Sequence, residues 1–214
     1  MLPPGVMRLW LIGSLLLALL AGCSSAPSSS ITPLHRSTVL IEHEGGHGSG
    51  LIIGADRVLT AYHVVQGDAL DVRFFNGQAK AGEIVWTDLD RDLAIVEVEI
   101  PQGHPIVELS CDQPSPGTHV MSIGHPIQSQ WVVVGGYLPN SGLVAGRYVS
   151  LGFPVGLGTS GGPVFDESGQ VIGITLAILA ERASTEAAYD EFKDTGIGLM
   201  LPASDFCKTV VSQD

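Results

Sequence analysis

The sequence predicts an all-β protein built from many short strands, and three observations carry that prediction. Its 214 residues include 27 glycines and 13 prolines, about 19% together against roughly 12% in an average protein, and such punctuation favours short strands over long helices. Apolar and β-branched runs such as Thr38–Glu42, Leu51–Gly54 and Leu93–Val98 are bounded by glycine and charged turn residues. Helical patterning is confined to two short stretches, Ala183–Phe192 and Ala203–Val211, the second with Ser204 and Asp205 at its start. A chain of this length makes one domain or a closely packed pair with a substantial core. The net charge is -12 and neither Lys nor Arg forms a run, so charge-driven binding to phosphate or anionic lipid is excluded and nucleic acid is not an expected partner.

The first residues are an address. Arg8 supplies a positive start, Leu9–Leu20 an apolar stretch too short to span a membrane, and Ala21-Gly22 a small-residue cleavage context. Leu20-Ala21-Gly22-Cys23 resembles a bacterial lipobox, which implies a signal peptide over 1–22 and lipid on the sulfur of Cys23. An ordinary secretory signal with an incidental cysteine is the alternative. Ser24 after the cysteine resembles lipoproteins sorted to the outer membrane, which implies a periplasm-facing protein at the bacterial cell envelope. The serine-rich stretch Ser24–Ser30 opens a flexible linker assigned to 23–36, since it has too little apolar surface to fold.

Strands begin at Ser37. Thr38–Glu42, the turn-forming Glu44–Gly50 and Leu51–Gly54 read as a hairpin. Within it, His43-Glu44-Gly45-Gly46-His47 matches the H-E-x-x-H pattern of zinc peptidases, but that chemistry needs both histidines on one helical face. Two adjacent glycines and flanking β-branched runs oppose a helix, so no metal is expected. Val58–Val65 is an apolar strand ending in a small-residue turn that carries His63, which alone would read as a core or turn histidine. Asp92 directly precedes the apolar run Leu93–Val98 and alone would read as a charged turn. In Gly158-Thr159-Ser160-Gly161-Gly162-Pro163-Val164-Phe165 a serine sits between glycines, where the backbone turns sharply and leaves amide groups outside any ladder. The Gly158 and Ser160 N–H groups can converge there on one point, the geometry an acyl-transfer oxyanion needs. A serine nucleophile also requires a histidine base and a carboxylate to orient it, and His63 and Asp92 stand in that order ahead of Ser160.

Thr60-Ala61-Tyr62-His63-Val64-Val65, Asp92-Leu93-Ala94 and Gly158-Thr159-Ser160-Gly161-Gly162-Pro163 resemble the three triad segments of trypsin-like serine peptidases. Gly48-Ser49-Gly50, Ser122-Ile123-Gly124-His125-Pro126, Gly169–Ile174 and Thr195–Pro202 resemble the bacterial HtrA-type branch. The likeness covers roughly 37 to 203. It implies the chymotrypsin fold, two six-stranded antiparallel barrels with a short C-terminal helix and the catalytic groups at their seam. The first barrel is assigned to 37–103 and the second to 104–214, because the strand pattern breaks near Pro101–Pro105. No PDZ domain is expected after the peptidase unit, which favours a monomer without cofactors acting on protein or peptide substrates.

The resemblance implies a serine endopeptidase with His63, Asp92 and Ser160 as triad and Gly158 and Ser160 as oxyanion donors. A catalytically silent binding module of the same fold is the alternative, against which the intact triad stands. One departure is Thr159, where trypsin-like zymogens carry an aspartate that pairs with a newly cleaved N-terminus; activation by such cleavage is therefore not expected. By analogy with the family, Pro154, Val155, Gly156 and Leu157 form one wall of the primary specificity pocket, and Ile174, Thr175 and Leu176 the facing strand. Neither holds a carboxylate, so cleavage after small or medium apolar residues is expected rather than after Lys or Arg. Once Cys23 is lipidated, Cys111 and Cys207 remain, and both a disulfide and a pair of inert buried thiols fit an extracytoplasmic protein.

Overall fold

The β-branched runs become strands buried over most of their length, with four consecutive buried residues in Thr38–Ile41 and in Leu93–Val96. The computed structural model describes residues 31–213 apart from 68, 140–141 and 183–191, and not the side chains of 180–182 and 192–194. The expected signal peptide, Cys23 and the serine-rich stretch expected to be a tether lie outside the described residues. So does nearly all of the expected helix Ala183–Phe192, of which Phe192 stands in a strand. The end of the expected linker is ordered: Thr32–Ser37 is a helical turn, and its Leu34 carbonyl accepts bonds from the Ser37 and Thr38 hydroxyls.

Six strands follow: β1 (Thr38–His43), β2 (Gly46–Ile52), β3 (Arg57–Ala61), β4 (Leu70–Arg73), β5 (Ala79–Asp88) and β6 (Leu93–Glu97). They close into a barrel in the order β1-β2-β3-β6-β5-β4, which leaves no free edge. The expected hairpin is there with a tighter turn, since Glu44 and Gly45 alone separate its strands. Gly48, Ser49 and Gly50 are therefore in the ladder of β2, not in the turn. His43 pairs with Gly46 and Glu42 with His47, which places the H-E-x-x-H pattern on two antiparallel strands.

The second sheet departs from the expected closed six-stranded barrel. It contains β7 (His119–Gly124), β8 (Val132–Tyr137), β9 (Leu143–Val144), β10 (Tyr148–Pro154), β11 (Pro163–Asp166), β12 (Val171–Arg182) and β13 (Phe192–Pro202). They form seven strands in the open order β8-β7-β11-β12-β13-β10-β9. Closure would require a ladder between β8 and β10. Gly136 of β8 does lie against Phe153 of β10, but β10 kinks at Gly152 (φ 67) and its pairing with β13 shifts between Ser150 and Pro154. The kink removes the regular register a ladder would need. All-β architecture is thus correct, with one closed barrel and one half-barrel.

A single apolar cluster joins the two sheets: Ile41, Leu51, Leu59 and Ile95 of the barrel share it with Ile123, Phe165, Ile174 and Leu201 of the second sheet. The seam between sheets is therefore set by core packing. The C-terminal segment, expected as one helix over Ala203–Val211, is two pieces, a 3-10 turn Ala203–Asp205 and an α-helix Cys207–Val211. Ser204 does not cap the helix; its hydroxyl donates to Gln113 Oε1 (2.8 Å).

Cys111 and Cys207 are joined by a disulfide with 5.5 Å between their Cα atoms and a sequence separation of 96. Closing so long a loop stabilises by about 2–5 kcal/mol in the chain-entropy argument. Cys111→Ser/Cys207→Ser is expected to lower the unfolding free energy by that amount, and with it the urea midpoint, measured against the oxidised protein. An unchanged midpoint would contradict a structural role for the bond.

Candidate active site

Each candidate residue sits where a strand ends. β3 finishes at Ala61 and the chain tightens into a 3-10 turn, Tyr62–Val65, that carries His63. Val64 and Val65 of that turn are buried, which leaves His63 exposed. Leu93 pairs with Ala61 across β3 and β6, so Asp92 lies one step beyond the ladder and beside the turn. Asp92 adopts φ 56, a left-handed conformation that few residues other than glycine and the Asx pair take readily. The local strain is held by three bonds: Tyr62 N–H donates to Asp92 O (2.9 Å), His63 N–H to Asp92 Oδ1 (2.9 Å), and His63 Nδ1 faces Asp92 Oδ2 at 2.6 Å. The carboxylate thus accepts from Nδ1–H and leaves Nε2 as the free acceptor. Among the described residues His63 Nε2 has no hydrogen-bond partner.

Ser160 belongs to the second sheet, in the turn ahead of β11. Every carbonyl of Leu157–Ser160 is tied down: Leu157 O accepts from Ile127 N–H (2.8 Å), Gly158 O from the Ser49 hydroxyl (2.8 Å), Thr159 O from Gly162 N–H (2.9 Å) and Ser160 O from Ser49 N–H (2.8 Å). The amides alternate. Thr159 N–H donates to Gly156 O and Gly161 N–H to Thr175 O, whereas Gly158 N–H and Ser160 N–H have no protein acceptor among the described residues. Because a peptide unit is planar, fixing its carbonyl fixes its N–H. Two free donors therefore flank the serine, and the Ser160 hydroxyl is likewise unpaired among the described residues.

Glycine is required at two of these positions. Gly158 has φ 97, and a Cβ there would lie 2.4 Å from both His125 O and His47 Nε2; Gly161 has φ 80, and a Cβ would lie 2.3 Å from Ser49 O and 2.8 Å from Ala61 N. The second contact shows how closely the serine turn meets the end of β3, two residues before His63. Thr159, in place of an ion-pairing aspartate, is buried and donates its hydroxyl to Gly156 O (2.7 Å).

The expected specificity residues separate. Val155 packs toward β13, where a Cβ on Gly198 would lie 2.7 Å from Val155 Cγ1. Leu157 is 75% exposed beside the serine turn, and Ile174 at 0% lies in the intersheet core with Leu176. Ile174 and Leu176 are therefore core residues and not pocket walls, because both lie in the intersheet cluster on the face turned away from Thr175. Thr175 contributes mainly backbone: its carbonyl accepts from Gly161 N–H and its N–H donates to Gly162 O. Pro154 also borders an apolar cavity of about 600 Å³ on β10 and β13, with Phe153, Leu179 and Ile197.

Sequence reasoning missed the groups behind the serine turn. His125, after β7, is fully buried and its ring lies 3.0 Å (Nδ1) from Ser49 Oγ; His47 Nε2–H donates to its carbonyl (2.7 Å). The only available signal was proximity in motif: both Gly48-Ser49-Gly50 and Gly124-His125-Pro126 lie in segments that carry the family resemblance. Burial, with repulsion from His47, pushes the His125 pKa from 6.5 down to about 3. Between those values the unfolded chain takes up a proton that the folded protein excludes. Stability is therefore complete above pH 6.5 and lost as pH falls, by about 1.4 kcal/mol per pH unit. Urea midpoints measured from pH 7 to 4 are expected to fall more steeply for the native protein than for His125→Asn; parallel lines would contradict a buried neutral His125.

The structure joins His63 to Asp92 and packs the serine turn against the end of β3, but makes no hydrogen bond between Ser160 and His63 among the described residues. The chain belongs to the trypsin-like peptidase domain family, whose match spans residues 48–174, more than half of the 214. It is similar to the putative serine protease HhoB of Synechocystis (32% identical, 64% of this chain, 36% of the relative) and to the probable periplasmic serine endoprotease DegP-like of Brucella suis (31%, 80% and 33%). It is also similar to the periplasmic serine endoprotease DegP of Escherichia coli K12 (30%, 78% and 35%). The chain spans about a third of the length of these curated relatives. Among solved structures it resembles the inactive form of Rv3671c from M. tuberculosis (TM-score 0.68, 24% identity, 87% of this chain and 90% of that one). The serine endoprotease from Yersinia pestis has the same fold (TM-score 0.68, 21% identity, 88% and 67%).

Proposed function

We propose that this chain is a serine endopeptidase that cleaves protein or peptide substrates through His63, Asp92 and Ser160, and that lipid on Cys23 anchors it as a monomer at the outer membrane facing the periplasm. The observation that carries the catalytic part is the pair of free amides, Gly158 N–H and Ser160 N–H, on a turn whose carbonyls from Leu157 to Ser160 and whose Thr159 and Gly161 amides are bonded. The chemistry then runs as acyl transfer. Asp92 holds His63 with its proton on Nδ1; Nε2 takes the Ser160 proton as Oγ attacks the substrate carbonyl. The two amides receive the developing oxyanion. His63 returns the proton to the departing amine, the acyl group stays on Ser160 Oγ, and water activated by the same Nε2 releases it. No cofactor enters any step.

The substrate residue before the cleaved bond would rest against Pro154, Val155, Gly156 and Leu157 and the Thr175 strand. Val155 closing on Gly198 narrows the space behind the turn, and no carboxylate stands in either wall to pair a cation. A library of peptides is expected to be cut after small or medium apolar residues, here Ala, Val and Leu. A profile dominated by Lys or Arg would overturn this specificity. Extraction of the membrane-bound protein with detergent but not with salt, and its release to the soluble fraction by Cys23→Ala, would support the anchor; a soluble native protein would overturn it.

A further inference from the structure

One side chain outside the triad holds the serine turn from the opposite barrel. Ser49 in β2 is fully buried, and its Oγ lies 2.8 Å from Gly158 O, 3.0 Å from His125 Nδ1 and 3.2 Å from His125 N. A hydroxyl donates one proton and accepts at two lone pairs. Gly158 O can only accept, so the Ser49 proton goes there. The remaining contacts must be donations to Ser49 Oγ, from His125 N–H and from His125 Nδ1–H. The tautomer of His125 is thereby fixed, with its lone pair on Nε2, and Nε2 is buried without a partner. An apolar side chain of similar volume would avoid that cost, so retention of the imidazole points to the work done by Nδ1–H.

We propose that Ser49 and His125 are positioning residues that set the oxyanion donors, a proposal that rests on the serine-peptidase reading above. The Gly158 carbonyl belongs to the peptide unit lying between the two units that carry the free Gly158 and Ser160 amides. The carbonyls of those two units are themselves held, by Ile127 N–H and Gly162 N–H, so the Ser49 bond fixes the unit that links them and with it the angle between the two donors, which glycine itself would restrain little. The restraint that an aspartate–ammonium pair gives in zymogen-derived enzymes is absent here, where Thr159 turns its hydroxyl onto Gly156. Ser49 replaces it with three bonds on one residue: Oγ–H to Gly158 O, N–H to Ser160 O, and its carbonyl accepting from Thr60 Oγ1 (2.7 Å) at the end of β3. The same residue thus ties the serine turn to the strand that leads to His63. Trp131 packs edge-on to the His125 ring (4.8 Å between centroids) and donates Nε1–H to Thr38 O (3.1 Å), fixing the ring in place.

The test compares kcat, KM and the rate of fluorophosphonate labelling for the full chain and three variants, with melting temperature measured on each. Ser49→Ala is expected to lower kcat and the labelling rate in parallel, by about tenfold or more but less than the 10²–10³ lost with an oxyanion donor itself, while KM moves less than about twofold, the signature of an interaction used in the transition state. His125→Leu is expected to show the same loss. His125→Asn is expected to recover most of it, because the amide Nδ2–H replaces Nδ1–H. Wild-type kcat in Ser49→Ala overturns the proposal, as does equal impairment in His125→Leu and His125→Asn, which would mean packing alone. These outcomes differ from failure of the underlying reading, in which the native protein itself is not labelled. If Ser49→Ala does not fold, the His125 pair decides.

Discussion

Ser160→Ala is expected to leave a folded protein whose turnover of casein falls by roughly a millionfold, the scale on which loss of a triad nucleophile acts. The substitution deletes one oxygen that has no hydrogen-bond partner among the described residues, so the fold loses almost nothing. All four carbonyl anchors of the turn are made by backbone or by Ser49 and survive the change. Equal circular dichroism and equal urea midpoints, together with lost turnover, would separate a chemical role from a structural one. Turnover within a few-fold of the native protein would remove Ser160 from the mechanism.

Gly158→Ala is expected to lower kcat/KM by about 10²–10³-fold, less than loss of the nucleophile but large for a single methyl group on the turn. A φ of 97 is outside the range an L-residue takes cheaply, and the Cβ would meet His125 O at 2.4 Å. Strain of this kind costs about 1–3 kcal/mol where it is tolerated. Where it is relieved, the peptide unit must rotate, and the Gly158 N–H leaves its position. Loss of one oxyanion donor alone is worth roughly 2.7–4 kcal/mol of transition-state stabilisation. The change should appear in kcat with KM little altered, and activity within threefold of native would contradict the assignment of Gly158 N–H as a donor.

The parts of the fold that the sequence makes legible are those encoded locally. Short β-branched runs with glycine turns specify strands, and His63, Asp92 and Ser160 each stand beside one; singly they read as ordinary turn residues, and only their order in the chain makes them legible together. The open second sheet is not legible, because it depends on whether β10 keeps a regular ladder past Gly152, and a glycine in a strand does not announce its φ. Ile174 shows a related limit: spacing places it on the correct strand, but which face meets the core is decided by the register with β11 and β13. The largest omission is Ser49. In sequence it reads as turn chemistry between two glycines, and only the packing of the two sheets, through the Ile41–Phe165–Ile174 core, brings its hydroxyl to the Gly158 carbonyl 109 residues away. Long-range polar contacts of this sort have no local periodicity to reveal them.

The most direct test of the central claim is fluorophosphonate treatment of the native protein followed by mass spectrometric mapping of the modified residue. An activated serine, and not a hydroxyl of ordinary reactivity, displaces fluoride, so the reagent reports on the proposed His63–Ser160 relay and the proposed oxyanion amides in one step. A single adduct on Ser160, absent from His63→Ala, is the predicted result; an unmodified protein, or an adduct on Ser160 that persists undiminished in His63→Ala, would contradict it.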